Sequence, residues 1–117
     1  MNLHEIDQHV QDLTPHQLKI LQVVYAAGNA WVTRANVARA LGKRRLTPYD
    51  IDCLTMLSER ALIEQSTRPT SAPGSDFAYI YHMTDDIAGL LQKWADLQDQ
   101  QVQHRQRKSI NLTKDQG

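Results

Sequence analysis

Apolar residues recur along the chain at spacings that switch between helical and extended periods, and the switches mark out the elements. Leu3, Ile6, Val10 and Leu13 lie three and four apart, which predicts a short amphipathic helix over residues 3–13. A second helix opens at Thr14-Pro15-His16-Gln17: threonine suits the N-cap, proline the first helical position, and glutamine follows two residues later. Its stripe is Leu18, Leu21, Val24 and Tyr25, and Gly28-Asn29 ends it. Ala30-Trp31-Val32 is a short extended piece. Thr33 then caps a compact helix that turns Val37, Ala38 and Leu41 inward and stops at Gly42. A third main helix begins at Thr47-Pro48-Tyr49-Asp50, with an acid in the first turn where the helix dipole favours it.

After Ala61 the pattern changes. LIEQSTR (62–68) and FAYIYHM (77–83) predict two strands around the turn-rich PTSAPGSD, a β-hairpin. From Asp85 a long helix capped by Thr84 carries Ile87, Leu90, Leu91, Trp94 and Leu97 on one stripe. Beyond Gln98 the chain is mostly Gln, Arg, Lys and His, and SINLTKDQG predicts a frayed tail. The expected organisation is an N-terminal amphipathic helix over 1–13, a domain over 14–84, a long C-terminal helix over 85–108 and a flexible tail over 109–117. The fold class is mainly α with a small β-hairpin, α+β.

Helix, short strand, helix, turn, helix, hairpin, helix resembles the order of a winged helix-turn-helix domain, over residues 14–98. Within it, IDCLTMLSERALIEQ is similar to the recognition-helix pattern of MarR-family regulators. The matching residues are Ile51, Leu54 and Leu57, the polar Ser58-Glu59-Arg60, the small Ala61 and the strand start Leu62-Ile63. YHMTDDI is similar to the point where such proteins leave the wing and enter a C-terminal helix through a capping threonine. The family pattern often has glycine where this chain has Ala61 and Ile87, which marks it as divergent. The resemblance implies a small dimeric transcriptional regulator that contacts double-stranded DNA with its helix-turn-helix and wing.

Charge changes the picture in one place. Thirteen basic and thirteen acidic residues cancel over 117 positions, so nothing global favours nucleic acid. Locally, Arg34, Arg39, Lys43, Arg44 and Arg45 fall in a stretch without an acidic residue. At the mouth of a recognition helix Arg34, Lys43, Arg44 and Arg45 are expected to hold phosphates, with Asn36 donating there too. A solvated charged turn is the other meaning of such a run. A wheel at about 100° per residue turns Ile51, Leu54, Leu57, Ser58 and Ala61 inward and Tyr49, Asp52, Cys53, Met56, Glu59 and Arg60 outward. Thr47, Tyr49 and Cys53 or Met56 are then expected to approach base edges, although Asp52 and Glu59 repel phosphate. In the wing Arg68 is the one cation, helped by Thr70 and Ser71. The alternative is a winged-helix protein-interaction module in a larger assembly, suggested by neutral charge and the Tyr49, Cys53, Met56 face.

The stripe Ile87, Leu90, Trp94 and Leu97 is too short for an independent coiled coil but long enough for a dimerisation helix, together with Leu3, Ile6 and Val10. A homodimer is therefore expected, the other reading being that both helices pack on their own domain. HRQRK at 104–108 suits a helix end by its charge, or a contact with DNA or a partner. Cys53, the single cysteine, excludes an internal disulfide, and Asp50 and Asp52 beside it disfavour a thiolate. His4, His9 and His16 do not have metal-ligand spacing and are expected at the surface. Phe77, Tyr79 and Tyr81 alternate on the second wing strand, so one aromatic face is expected to pack. There is no phosphate loop, nucleophile elbow or metal cluster, so neither an enzyme nor a cofactor is expected, and no small-molecule effector is indicated. No apolar run approaches the roughly 20 residues a membrane span needs, and no signal-peptide pattern opens the chain, so the expected location is cytoplasmic.

Overall fold

The computed structural model describes the backbone of residues 1–71 and 73–116 and the side chains of residues 1–71 and 73–101. In chain order the elements are α1 (Leu3–Gln11), α2 (Pro15–Ala26), β1 (Val32–Thr33), α3 (Arg34–Ala40), α4 (Pro48–Glu59), β2 (Glu64–Pro69), β3 (Phe77–His82) and α5 (Asp85–Gln116). The basic cluster expected at 104–108 and the tail expected at 109–117 lie outside the residues whose side chains are described.

Three helices start with the same device. Thr14, Thr33 and Thr47 each accept from the backbone N–H three residues on, and the side chains of Gln17, Asn36 and Asp50 return the bond to the threonine N–H. Each reciprocal cap satisfies two donors that a helix start otherwise leaves open, and losing such a cap costs about 1 kcal/mol. Thr84 serves α5 more simply, accepting from Ile87 N at 3.3 Å.

The hairpin strands form part of an antiparallel sheet of order β1-β3-β2. The short extended piece before α3 is its third strand, with Val32 opposite Tyr81 and Thr33 opposite Ile80. β2 pairs along the other side of β3 from Glu64–His82 to Pro69–Phe77. β3 is thus the central strand, and its alternation reads as a gradient: Phe77 exposed, Tyr79 partly covered, Tyr81 fully buried. β2 is exposed throughout, as its run of Glu, Gln, Ser, Thr and Arg requires of an edge strand.

One core joins these elements. α1 contributes Ile6 and Val10, α2 Ile20, Leu21 and Val24, α3 Val37 and Ala38, and α4 Leu54 and Leu57, with Leu62, Ile63, Tyr81 and Met83 closing it on the sheet side. Ile20 was not in the stripe expected for α2, because that helix is covered by α3, α4 and β3 together. Ile6 and Val10, expected at a dimer interface, are buried within their own chain at 0% and 6% exposure. That corrects their assignment: the apolar face of α1 is covered by the chain's own α5 and core.

Both α3 and α4 end with the chain turning through positive φ. After α3 the residue is Gly42 (φ 76°), and Lys43 N–H donates to Ala38 O at 2.8 Å. After α4 it is Ala61 (φ 62°), and Leu62 N–H donates to Leu57 O at 3.0 Å. Both are the six-to-one closure of a Schellman cap, which glycine makes without strain. Ala61 carries a Cβ in the left-handed region at a cost of roughly 1–2 kcal/mol, partly offset because glycine has more unfolded-state entropy to lose. Ala61→Gly should therefore stabilise the protein by about 1 kcal/mol in urea unfolding with an unchanged m-value, and a loss of stability would contradict the strain.

Candidate nucleic-acid interface

The Schellman closure after α3 fixes where the three cations begin. Lys43 leaves the helix held by its own backbone N–H, Arg44 and Arg45 are exposed, and Leu46 turns back into the core. Thr47 then starts α4. The basic turn is thus pinned by a backbone bond at one end and a buried leucine at the other, with two arginines outward between them. Arg44 and Arg45 make no ion pair among the described residues.

Lys43 behaves differently. Its Nζ donates to Asp50 Oδ2 at 2.8 Å, and Asp50 is 0% exposed. His16 Nε2 donates to Oδ1 of the same carboxylate at 2.6 Å, and Thr47 N–H donates to Oδ2 at 2.9 Å. Burial alone would raise the carboxyl pKa. The donors Lys43, Thr47 N–H, His16 and the Thr47 hydroxyl outweigh it and hold Asp50 well below the usual carboxylate range. The acid expected as a local cap is also the meeting point of three chain segments. His16, expected at the surface, is half-buried by this contact, and the ring of Tyr49 stacks on it at 5.5 Å.

On α4 the outward face is narrower than the wheel suggests. Tyr49 is 52% exposed, and Asp52 and Glu59 are exposed beside it. Met56 is partly buried against the core. Cys53 is 2% exposed, which removes it from any base-reading role and corrects that expectation. α4 packs against α2 on one side and β2 on another, so its buried arc is wider than one apolar stripe. Burial pushes the Cys53 thiol up, and the charges of Asp50 and Asp52 push it further, so the thiol stays protonated.

The wing side has its own basic feature. Arg34 Cζ sits 4.2 Å from the centre of the Tyr79 ring, and Arg34 Nε donates to Tyr81 Oη at 3.0 Å. The guanidinium is held against the sheet by these two contacts, and Arg34 lines a cleft of about 740 Å³ between α3 and the hairpin. Arg68, exposed on β2, lines the other wall of that cleft. Neither tyrosine was singled out beforehand as a support for Arg34, and their alternation on β3 was the signal. Asn36 is exposed, with its side-chain oxygen used by Thr33 N–H at 3.0 Å and its amide protons left to donate.

Of the other residues expected at a dimer interface, Leu3, Ile87, Leu90 and Trp94 are partly buried and Leu97 is 43% exposed. Trp94 Nε1 donates to Asp7 Oδ1 at 2.9 Å, tying α5 to α1. Among the described residues no helix is long and apolar enough to cross a membrane, and no group of three or more His, Cys, Asp or Glu is placed to hold a metal ion.

The fold defined by α2 to α5 is a winged helix-turn-helix. α3 and α4 are its helix-turn-helix, the β2–β3 hairpin is the wing, and α1 and α5 flank it. No family model matches the chain, and its sequence matches no curated protein. Solved structures do share its form. A possible transcriptional regulator from Methanosarcina mazei Go1 superposes with TM-score 0.55 at 17% identity, covering 86% of each chain. The Staphylococcus aureus MepR–DNA complex gives TM-score 0.57 at 24% identity, over 95% of this chain and 86% of that one. A further structure of MepR, a transcription regulator of the S. aureus multidrug efflux pump MepA, gives 0.55 at 20% identity over 94% and 82%. The likeness is one of fold, and it agrees with the winged helix-turn-helix expected from the order of elements.

The Asp50 cluster has a pH signature. A carboxyl whose folded pKa is depressed adds stability above its unfolded pKa and loses it as pH falls toward the folded value. Asp50→Asn should cost about 2 kcal/mol near neutral pH, because it replaces the charged acceptor of three donors by a neutral amide with a single acceptor oxygen. The difference from wild type should shrink as pH drops below about 4, where the wild-type carboxyl begins to lose its advantage. Urea unfolding across that range measures it, and a gap that stays constant would refute the linkage.

Proposed function

We infer that this protein is a winged-helix DNA-binding protein, a small dimeric transcriptional regulator that contacts duplex DNA through its helix-turn-helix and wing. The observation that carries the reading is the basic turn. Two exposed arginines stand at the entrance of α4, in a stretch from Arg34 to Arg45 with no acidic residue. That is where a helix-turn-helix meets the phosphate backbone. The MepR structure determined with DNA has the same fold, which favours the same use of this one.

Arg44 and Arg45 contact phosphates in this reading. Arg34, braced on Tyr79 and Tyr81, and Arg68 across the cleft hold the backbone beside the wing. Asn36 donates from the exposed start of α3. Thr47, Tyr49 and the exposed part of Met56 approach base edges, Tyr49 foremost because it is a large exposed ring with a polar tip. Asp52 and Glu59 limit how closely α4 approaches the backbone and would favour cytosine N4 as a partner.

The dimer is assigned to the surface formed by α1 and α5. Leu97 is an exposed leucine beside Trp94, over a cleft shared with Leu3 of α1. Ile87 and Leu90 extend the same stripe toward the domain. A two-fold pair of recognition helices suits two half-sites about one helical turn apart.

Two measurements test this reading. Binding to mixed genomic duplexes, followed by anisotropy while salt is titrated, should show log K falling linearly with log salt. Arg44→Ala/Arg45→Ala should lower that slope by up to about 2, and absence of binding at low salt would point instead to a protein-interaction module. Light scattering should give a dimer for wild type and a shift toward monomer for Leu97→Glu, and a wild type that stays monomeric at high concentration would remove the dimer.

A further inference from the structure

A capping-box acid needs only the N–H of its own N-cap residue. Asp50 has that bond and two more, from His16 in the first turn of α2 and from Lys43 at the start of the α3–α4 connection. Both extra arms come from other segments, and both lead to residues of the DNA-facing surface. Lys43 immediately precedes Arg44 and Arg45. His16 carries the ring of Tyr49, stacked at 5.5 Å with 25° between planes. The titratable groups bonded to the carboxylate are His16 and Lys43, with Tyr49 stacked on His16 and the Cys53 thiol within its field, and Lys43 holds the one permanent positive charge among them.

We propose that Asp50 is a positioning residue for DNA contact: it withholds Lys43 from phosphate and, by gripping Lys43 and His16 together, sets where Arg44, Arg45 and Tyr49 stand. The proposal rests on the DNA-binding reading above. Its physical basis is charge bookkeeping at the turn. An ammonium 2.8 Å from a buried carboxylate adds almost no net charge, so it displaces almost no counterion from DNA. Three adjacent cations therefore act as two. Lys43 serves as a tether whose far end is held by a buried carboxylate, and the recognition helix, α2 and the basic turn move as one body.

The test uses the same duplex-binding titration on the full chain. Lys43→Met should weaken binding about tenfold, through lost placement of the arginines, while the slope of log K against log salt stays at the wild-type value. Lys43→Arg, which keeps the ion pair, should restore affinity. His16→Gln should weaken binding several-fold, again without a change of slope. Asp50→Asn, where circular dichroism shows it folded, should steepen the slope by up to about 1 as Lys43 is released to phosphate. A slope lowered by about 1 in Lys43→Met would overturn the proposal, because Lys43 would then be neutralising a phosphate itself. So would wild-type affinity in both Lys43→Met and His16→Gln. Those two results leave the DNA reading standing. Loss of salt-dependent binding in wild type would overturn that reading and this proposal with it.

Discussion

A carboxylate with no solvent exposure must be matched by donors that the rest of the chain brings to it, and Asp50 imposes that demand on the whole domain. Its partners arrive from α2, from the α3–α4 connection and from the cap of α4. α2 also supplies Ile20, Leu21 and Val24 to the core, so the carboxylate and the hydrophobic packing constrain the same pair of helices. Rotating α4 away from α2 would cost buried apolar surface and also strand a buried charge. This is a stiffer coupling than either interaction alone provides, and it sits one residue from the exposed Tyr49.

The wing is joined to the helices by a different chemistry. Along β3 the aromatic side chains pass from the exposed Phe77 through Tyr79 to the buried Tyr81. Arg34 lies against the inner two, with Cζ over the Tyr79 ring and Nε on the Tyr81 hydroxyl. Cation–π contact of this kind is worth about 0.5–2 kcal/mol, and the hydroxyl bond aligns the charge as well as stabilising it. The result is an arginine whose placement costs little further entropy when an anion arrives. β1 contributes as well, since its pairing with β3 sets Thr33, the cap of α3, at a fixed distance from the wing.

Much of the fold was legible because its signals are local. Thr14, Thr33 and Thr47 each cap a helix with a partner three residues away, so both halves of the device are visible in a short window. The strand alternation at Phe77–His82 and the positive-φ residue after α4 are local in the same sense, Ala61 standing where glycine would be easier. The errors came where more than one neighbour covers a helix. A single stripe placed Cys53 outside, but α4 is covered by both α2 and β2 and buries it. The apolar stripe of α1 was evident, yet apolarity does not say whose surface will cover it, and Ile6 and Val10 went to the chain's own core.

The sequence by itself determined where the helices begin, that a hairpin follows α4, and that five cations cluster ahead of α4. Those properties depend on hydrogen-bond satisfaction and side-chain period within a few residues. The tertiary structure alone decided which of those cations remain available. Arg39, Arg44 and Arg45 stay exposed, Arg34 is laid on an aromatic support and Lys43 is taken up by Asp50. His16 and Asp50 are separated by 34 positions. No periodicity connects two residues that far apart, and only the packing of α2 against α4 brings them within a hydrogen bond.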